Sequence, residues 1–403
     1  LEELIYLDNA ATSWPKPTQV YDFMVEFYRR CGVNPGRSGF DMAIEAGNIL
    51  EETRKRLVAF FGGDHSASQR LCFSYNATDS LNLIIQGLLK SGDHVVTTNL
   101  EHNSVIRPIN VLVRDSGVEV TYVPFNKQGF MEPDDIKKAF KKNTRLVMVN
   151  HGSNVLGTVQ PIGEIGRICK ENGIIFGIDV SQTAGVIPID MKKMNVDVLA
   201  FTGHKSMMGS TGIGGMCVRE KIQIRQTRAG GTGVRSAYPY HLEEFPYRFE
   251  FGTPNVVGIA SLKAGLDWIE SMGGPEKIHA QEMKLTKKLL DGFRNIEGVI
   301  TYCCDSLENH LSTLTVNVDG IEAGNVGIML DVDFSIATRT GLHCAPLVHH
   351  QLGIDKIHGG VRFAIGAFNT ETHIDKAIAA MADIAERARK KSKFKPPSER
   401  AVG

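Results

Sequence analysis

The chain has 403 residues, 42% of them apolar and 22% charged, with 45 basic side chains balancing 45 acidic ones. That balance supplies no field to draw it onto nucleic acid or an anionic membrane, and no apolar run approaches the roughly 18 residues a membrane span needs. The length exceeds what a single growing core usually holds, so two lobes are expected.

The opening "LEELIYLDNA" lacks the basic-then-apolar order of a signal peptide, which makes a cytoplasmic protein the expectation. Because the chain starts on Leu1 rather than methionine, further residues are expected to precede it. Its cysteines, Cys31, Cys72, Cys169, Cys217, Cys303, Cys304 and Cys344, are odd in number and show no CxxC spacing. They suit neither a zinc site nor a disulfide framework, so no metal is expected and most read as buried, inert thiols.

From residue 70, β-rich runs alternate with helical patterns: "RLCFS", "DSLNLIIQGLLKSG", "HVVTTN", "NSVIRPINVLVRDSG", "EVTYVPF", "PDDIKKAFKKN", "RLVMVN", "IGEIGRICKENG" and "IIFGIDV". This is the pattern of βαβ units around a largely parallel sheet with helices on both faces. "VDVLAFTG" and "GIGGMCVR" follow across a short gap and predict a closing antiparallel pair. Three-to-four apolar spacing then predicts helices through "IASLKAGLDWIESMG" and "EKIHAQEMKLTKKLLDGFRNI". A second, α+β lobe takes in "STLTVNVDG", "EAGNVGIMLDV", "FSIATRTG" and "GGVRFAIG", and ends in a helix behind a Thr372-x-x-Asp375 capping box. The expected partition is a large domain over 16–263, a small domain over 1–15 and 264–393, and a frayed tail over 394–403.

A single lysine, Lys205, stands between the apolar run ending at Phe201 and a chain of glycines and small hydroxyl residues. Alone it could be an exposed turn residue. Upstream, however, Asp179 ends a nearly all-apolar strand, where an unpaired carboxylate is costly and a cation is its natural partner. Further upstream, the strand-to-helix turn Asn76-Ala77-Thr78 offers free N–H groups and a hydroxyl to a phosphate. In open α/β sheets ligands gather at the carboxyl ends of strands, where all three features fall. A phosphate cradle, a buried carboxylate and a lysine match the needs of pyridoxal 5′-phosphate (PLP), with Lys205 carrying the cofactor and the following glycines letting the backbone pack close to it.

From "YLDNAATSWP" to "GVRFAIGAFNT" the chain resembles the class V aminotransferase family of fold-type I PLP-dependent transferases. Within it, the chain resembles the group II cysteine desulfurases and selenocysteine lyases. The motifs "LDNAAT", "NATDSLN", "EHNS", "HGSNVLG", "DVSQ", "TGHK", "FGTPN" and "RTGLHCA" occur in family order. The resemblance implies a seven-stranded, mostly parallel sheet in the large domain. It further implies that His102 stacks on the pyridine ring, Asp179 pairs with the ring nitrogen, and Gln182 and Asn154 sit at the 3′-oxygen. Ala77, Thr78, Thr202 and His204 would serve the phosphate, and Thr253 would reach the phosphate of a neighbouring subunit, which implies a homodimer with shared active sites.

For the substrate, the resemblance implies that Arg362 forks onto the α-carboxylate beside Asn154, with Arg339 and Arg37 as further cleft residues. Cys344, after Arg339 and His343, would be the sulfur acceptor, its thiolate favoured by those two cations. The implied activity is a cysteine desulfurase: L-cysteine yields L-alanine, Cys344 carries a persulfide, and a thiol or protein acceptor receives the sulfur. A selenocysteine lyase, a C–S lyase, a class V aminotransferase and a sulfur-relay module remain open alternatives. Leu342 and Pro346 depart from the usual group II segment, in which histidine and glutamine are common.

Overall fold

The computed structural model describes residues 4–35, 39–63 and 65–393. Arg37 and the tail over 394–403 lie outside them. The chain begins with β1 (Ile5–Tyr6), then two helices that the alternation from residue 70 does not announce, α1 (Thr18–Cys31) and α2 (Asp41–Phe60). Val20, Phe27 and Cys31 line the buried side of α1, while Arg29 and Arg30 in its last turn complement the helix dipole.

The predicted alternation then follows: β2 (Leu71–Ser74), α3 (Ala77–Leu88), β3 (His94–Thr98), α4 (Asn103–Ser116), β4 (Glu119–Val123), α5 (Pro133–Lys138), β5 (Thr144–Asn150), α6 (Ile162–Glu171), β6 (Ile175–Asp179), β7 (Val198–Thr202) and β8 (Gly214–Val218). These strands form one seven-stranded sheet in the order β2-β8-β7-β6-β5-β3-β4. Every pairing is parallel except the two made by β8, the expected closing strand, with β2 and β7. Its central strands are apolar on both sides: Leu199 and Phe201 of β7 enter one core, Val198 and Ala200 the other. That double burial is why they read as continuous apolar runs. Successive crossovers lead outward in opposite directions from β3 and β5, opening a crevice at their carboxyl ends.

Helix α7 (Val256–Ser271) runs unbroken through position 264, and its Ile259, Leu262 and Leu266 join the large-domain core. The expected boundary at 264 thus falls inside α7, which ends before a turn at Gly273 and Gly274, both at positive φ, ahead of α8 (Pro275–Arg294). The smaller unit adds β9 (Val299–Thr301), β10 (Thr313–Val318), α9 (Ala323–Phe334), β11 (Ile336–Ala337), β12 (Arg339–Gly341), α10 (Pro346–Leu352), β13 (Gly360–Ala364) and α11 (Glu371–Lys393). An antiparallel sheet in the order β12-β13-β10-β9 packs Val316 and Phe363 against Leu289 and Phe293 of α8 and Ile384 of α11. Parallel pairing of β1 with β11 draws the start of the chain onto this unit. The capping box is also corrected: α11 begins at Glu371, and the Thr370 hydroxyl, not that of Thr372, accepts the His373 N–H at 3.3 Å.

Candidate active site

A cavity of about 270 Å³ lies in the crevice at the carboxyl ends of the strands. Its wall gathers Ala77, Thr78, His102, Asn154, Asp179, Gln182, Thr202, His204, Lys205, Arg339 and Arg362, nearly the whole set singled out in the sequence.

Each group arrives there through its element. Ala77 and Thr78 are the first residues of α3; Asn76 accepts the Asp79 N–H at 3.0 Å, leaving the N–H groups of Ala77 and Thr78 facing the cavity without helical partners. Asp79 would oppose an anion here, but its carboxylate is engaged by Arg228. Gly214 opens β8 against this turn, where a Cβ would stand 2.7 Å from the Phe201 carbonyl oxygen and 2.8 Å from Asn76 backbone. Gly214 thus admits protein backbone, and none of the glycines that follow Lys205 lines the cavity, where they were expected to face the cofactor.

His102 ends the turn after β3 and caps α4, its Nδ1 accepting the Ser104 N–H at 3.0 Å. Burial first, and then the charge of Lys205, push its imidazole down to about 4, so the ring is neutral. Asp179 ends β6 almost fully buried, and its Oδ1 accepts the Ser181 N–H at 2.9 Å and the Ser181 hydroxyl at 2.5 Å. Both bonds fall on one oxygen, which leaves Oδ2 for a cation. Burial brings the Lys205 amine down to about 8; Asp179 opposes the shift, while the Arg362 and Arg339 cations add to it. A lysine that is partly neutral near physiological pH is a nucleophile and a base.

Buried polar atoms without partners point to a ligand. Thr202 Oγ1, His204 Nδ1, Asn154 Oδ1 and Arg362 Nε are enclosed and make no hydrogen bond. Such atoms are costly unless a bound group satisfies them, and they belong to residues expected at a phosphate, a 3′-oxygen and a carboxylate. With Asp179 for a protonated ring nitrogen and Lys205 for an aldehyde, the donor set fits PLP.

Arg362, on β13, already holds anionic and polar partners: Nη2 donates to Asp8 Oδ1 at 2.5 Å and Nη1 to the Asn154 carbonyl at 3.0 Å. Gln182 spends its amide N–H on the Ala10 carbonyl at 3.0 Å. Cys344 stands beside the cavity, part-buried, with Arg339 Nη2 3.4 Å from its Sγ. The expectation of two cations at this thiol is corrected. Burial holds the His343 imidazole well below its ordinary range, and its ring nitrogens face the Arg339 carbonyl and His349. Of the two, Arg339 supplies the charge. Pro346 occupies the first turn of α10, where a missing N–H costs nothing, and Leu342 is 40% exposed.

Thr253 lies apart, exposed, in a separate cleft of about 750 Å³ that also holds Arg228, Tyr247 and Phe251. Ser104, Asn150 and Ser181 line the cavity without having been singled out. Ser181 was within reach of sequence reasoning, because Asp followed by Ser two positions on is a common turn in which the carboxylate takes local donors.

The family model for aminotransferase class-V matches residues 5–377. A probable cysteine desulfurase of Pyrococcus abyssi is 34% identical over 396 residues, covering 96% of each chain. The cysteine desulfurase of Haloferax volcanii is 30% identical over 387 residues, covering 94% of this chain and 88% of its own. Among solved structures, an apo cysteine desulfurase from Thermococcus onnurineus NA1 superposes with a TM-score of 0.89 at 35% identity, over 95% of each chain.

Proposed function

The chain belongs to the class V aminotransferase family, whose members are in general PLP enzymes, and on that premise we propose that it is a PLP-dependent cysteine desulfurase. It takes the sulfur of L-cysteine onto Cys344 and releases L-alanine. The observation that carries this reading is the contact of Arg339 with Cys344 Sγ at 3.4 Å, since Arg339 also walls the cavity that holds Lys205 and Arg362.

Ala77, Thr78, Thr202 and His204 would hold the cofactor phosphate, Asp179 the ring nitrogen, Gln182 and Asn154 the 3′-oxygen, and His102 a face of the ring. When bound, PLP supplies the electron sink that makes the substrate α-proton removable. Arg362 orients the substrate carboxylate, with Asn154 and Arg339 beside it. Lys205 Nζ takes the α-proton, a role its lowered basicity suits. Cys344 as thiolate attacks the substrate sulfur: the S–S bond forms, the Cβ–S bond breaks with its electron pair going to the carbon skeleton, and protonation there yields alanine. A thiol or protein acceptor then removes the outer sulfur.

Two copies are proposed to share active sites. Supporting this, α1 exposes Tyr21, Val25 and Tyr28 on one face, and Thr253 lies outside its own chain's cavity. Seven unpaired cysteines suit a reducing, cytoplasmic setting.

Brief exposure of the PLP-loaded protein to L-cysteine without reductant, followed by mass spectrometry, tests the assignment. One added sulfur on Cys344 with alanine in solution is expected, and Cys344→Ala abolishes both. Absence of both from the loaded wild type rejects the desulfurase reading.

A further inference from the structure

The Cys344 segment is held in an unusual conformation. His343 and Cys344 are consecutive non-glycine residues at φ 48° and 57°, a left-handed pair that side chains disfavour and that persists only where surroundings enforce it. Two backbone anchors are visible: Asn154 Nδ2 donates to the His343 carbonyl at 2.7 Å, and the Asn103 N–H donates to the Cys344 carbonyl at 2.7 Å.

A third anchor runs through two imidazoles. His343 Nε2 lies 3.0 Å from the Arg339 carbonyl, and His343 Nδ1 lies 3.2 Å from His349 Nε2. A carbonyl only accepts, so His343 Nε2 carries the proton and, in the neutral ring, Nδ1 must accept. His349 Nε2 is therefore the donor. Its other nitrogen, Nδ1, is buried with no partner, and both rings are buried, which keeps them neutral. The relay ends on the backbone of Arg339, the residue whose guanidinium touches Cys344 Sγ.

We propose that His349 is a positioning residue for sulfur transfer: its Nε2–H sets the tautomer of His343 and through it fixes the loop that holds Cys344 beside Arg339. This rests on the desulfurase reading for its consequence, but its structural content stands without turnover. Were His349 apolar, His343 Nδ1 would lose its donor. The opposite tautomer would become accessible, turning a lone pair onto the Arg339 carbonyl and releasing the segment.

The test compares His349→Leu, which removes the donor, with His349→Gln, whose amide N–H reaches the place of Nε2. His349→Asn, whose shorter amide does not, serves as a polar control if the leucine variant melts too low to use. Amide hydrogen exchange of Asn103 and of residues 340–345 reports the loop directly, because the Asn103 N–H is bonded to Cys344. Roughly tenfold faster exchange is expected in the leucine and asparagine variants, with glutamine near wild type. Sulfur loading of Cys344 in a single turnover should fall in parallel, while the absorbance response of bound PLP to L-cysteine is retained. Exchange and loading within about twofold of wild type in His349→Leu, or glutamine as impaired as leucine, would overturn the proposal. A wild type that loads no sulfur would instead reject the desulfurase reading, and the exchange pattern would still decide the relay.

Discussion

Arg362 is bound through Nη2 to the Asp8 carboxylate at 2.5 Å, so one guanidinium ties β13 to the N-terminal segment while facing the catalytic cavity. Nη1 is engaged by the Asn154 carbonyl, and Nε is buried without a partner. In the proposed function, a substrate carboxylate on Arg362 would share the fork with Asp8. Arg362→Lys is expected to lower kcat/KM for L-cysteine by about tenfold or more, mainly through KM, because an ammonium cannot hold two partners in one plane. Alanine release over a range of L-cysteine concentrations measures this. Unchanged kinetics alongside a lowered Tm would make the arginine a strut only.

His102 caps α4, and the proposed function gives its ring a second place, against the cofactor. His102→Ala removes the acceptor for the Ser104 N–H and should cost about 1 kcal/mol in denaturant unfolding. His102→Asn supplies a favoured capping oxygen and should stay within about 0.5 kcal/mol of wild type. Both should lose most activity and bind PLP more weakly. If the asparagine variant kept full activity, the ring would have no role at the cofactor.

Much of this site was legible because strand ends are written locally. Asp179 closes an apolar run, Lys205 opens a polar one, and Thr78 starts a helix, so sequence places all three on one edge of the sheet. Contacts between distant segments carry no such mark, as where Asp8 meets Arg362 across the chain, and periodicity does not show that His349, six positions on, turns its ring back to His343. The same limit applies to charge, since His343 beside a cysteine reads as a cation until burial shows it neutral. Likewise, the expected boundary at 264 falls inside a helix that ends only before the turn at Gly273 and Gly274.

Lys205 should behave unlike any surface lysine. With its amine at about 8, a large neutral fraction is present near pH 8, where ordinary lysines are almost wholly protonated. Trace acetylation of cofactor-free protein, mapped by mass spectrometry, should show Lys205 labelling level off just above that pH while surface lysines continue to rise. Asp179→Asn removes the anion that opposes the shift and should move the plateau to lower pH. A Lys205 profile matching the surface set would sink this account of its reactivity.

Glu282 makes a prediction about stability away from the chemistry. The Ser312 hydroxyl lies 2.8 Å from Glu282 Oε2 and 2.9 Å from the Ile365 carbonyl. One hydroxyl has one proton, and the carbonyl can only accept, so both contacts are satisfied when a protonated Glu282 donates to Ser312 and Ser312 donates to Ile365. Burial raises the carboxyl from its ordinary 4.5 to about 8, in keeping with that arrangement. Because the folded value lies above the unfolded one, the stabilisation from neutral Glu282 is complete below about 4.5 and is lost as pH rises toward about 8. Glu282→Gln keeps a donor for Ser312 and carries no proton to lose. Its Tm should match wild type near pH 5 and exceed it at pH 8, with the gap opening between those values. A constant difference across the range would mean that Glu282 is ionised in the folded protein and that Ser312 bonds the carboxylate, leaving the Ile365 carbonyl to another donor.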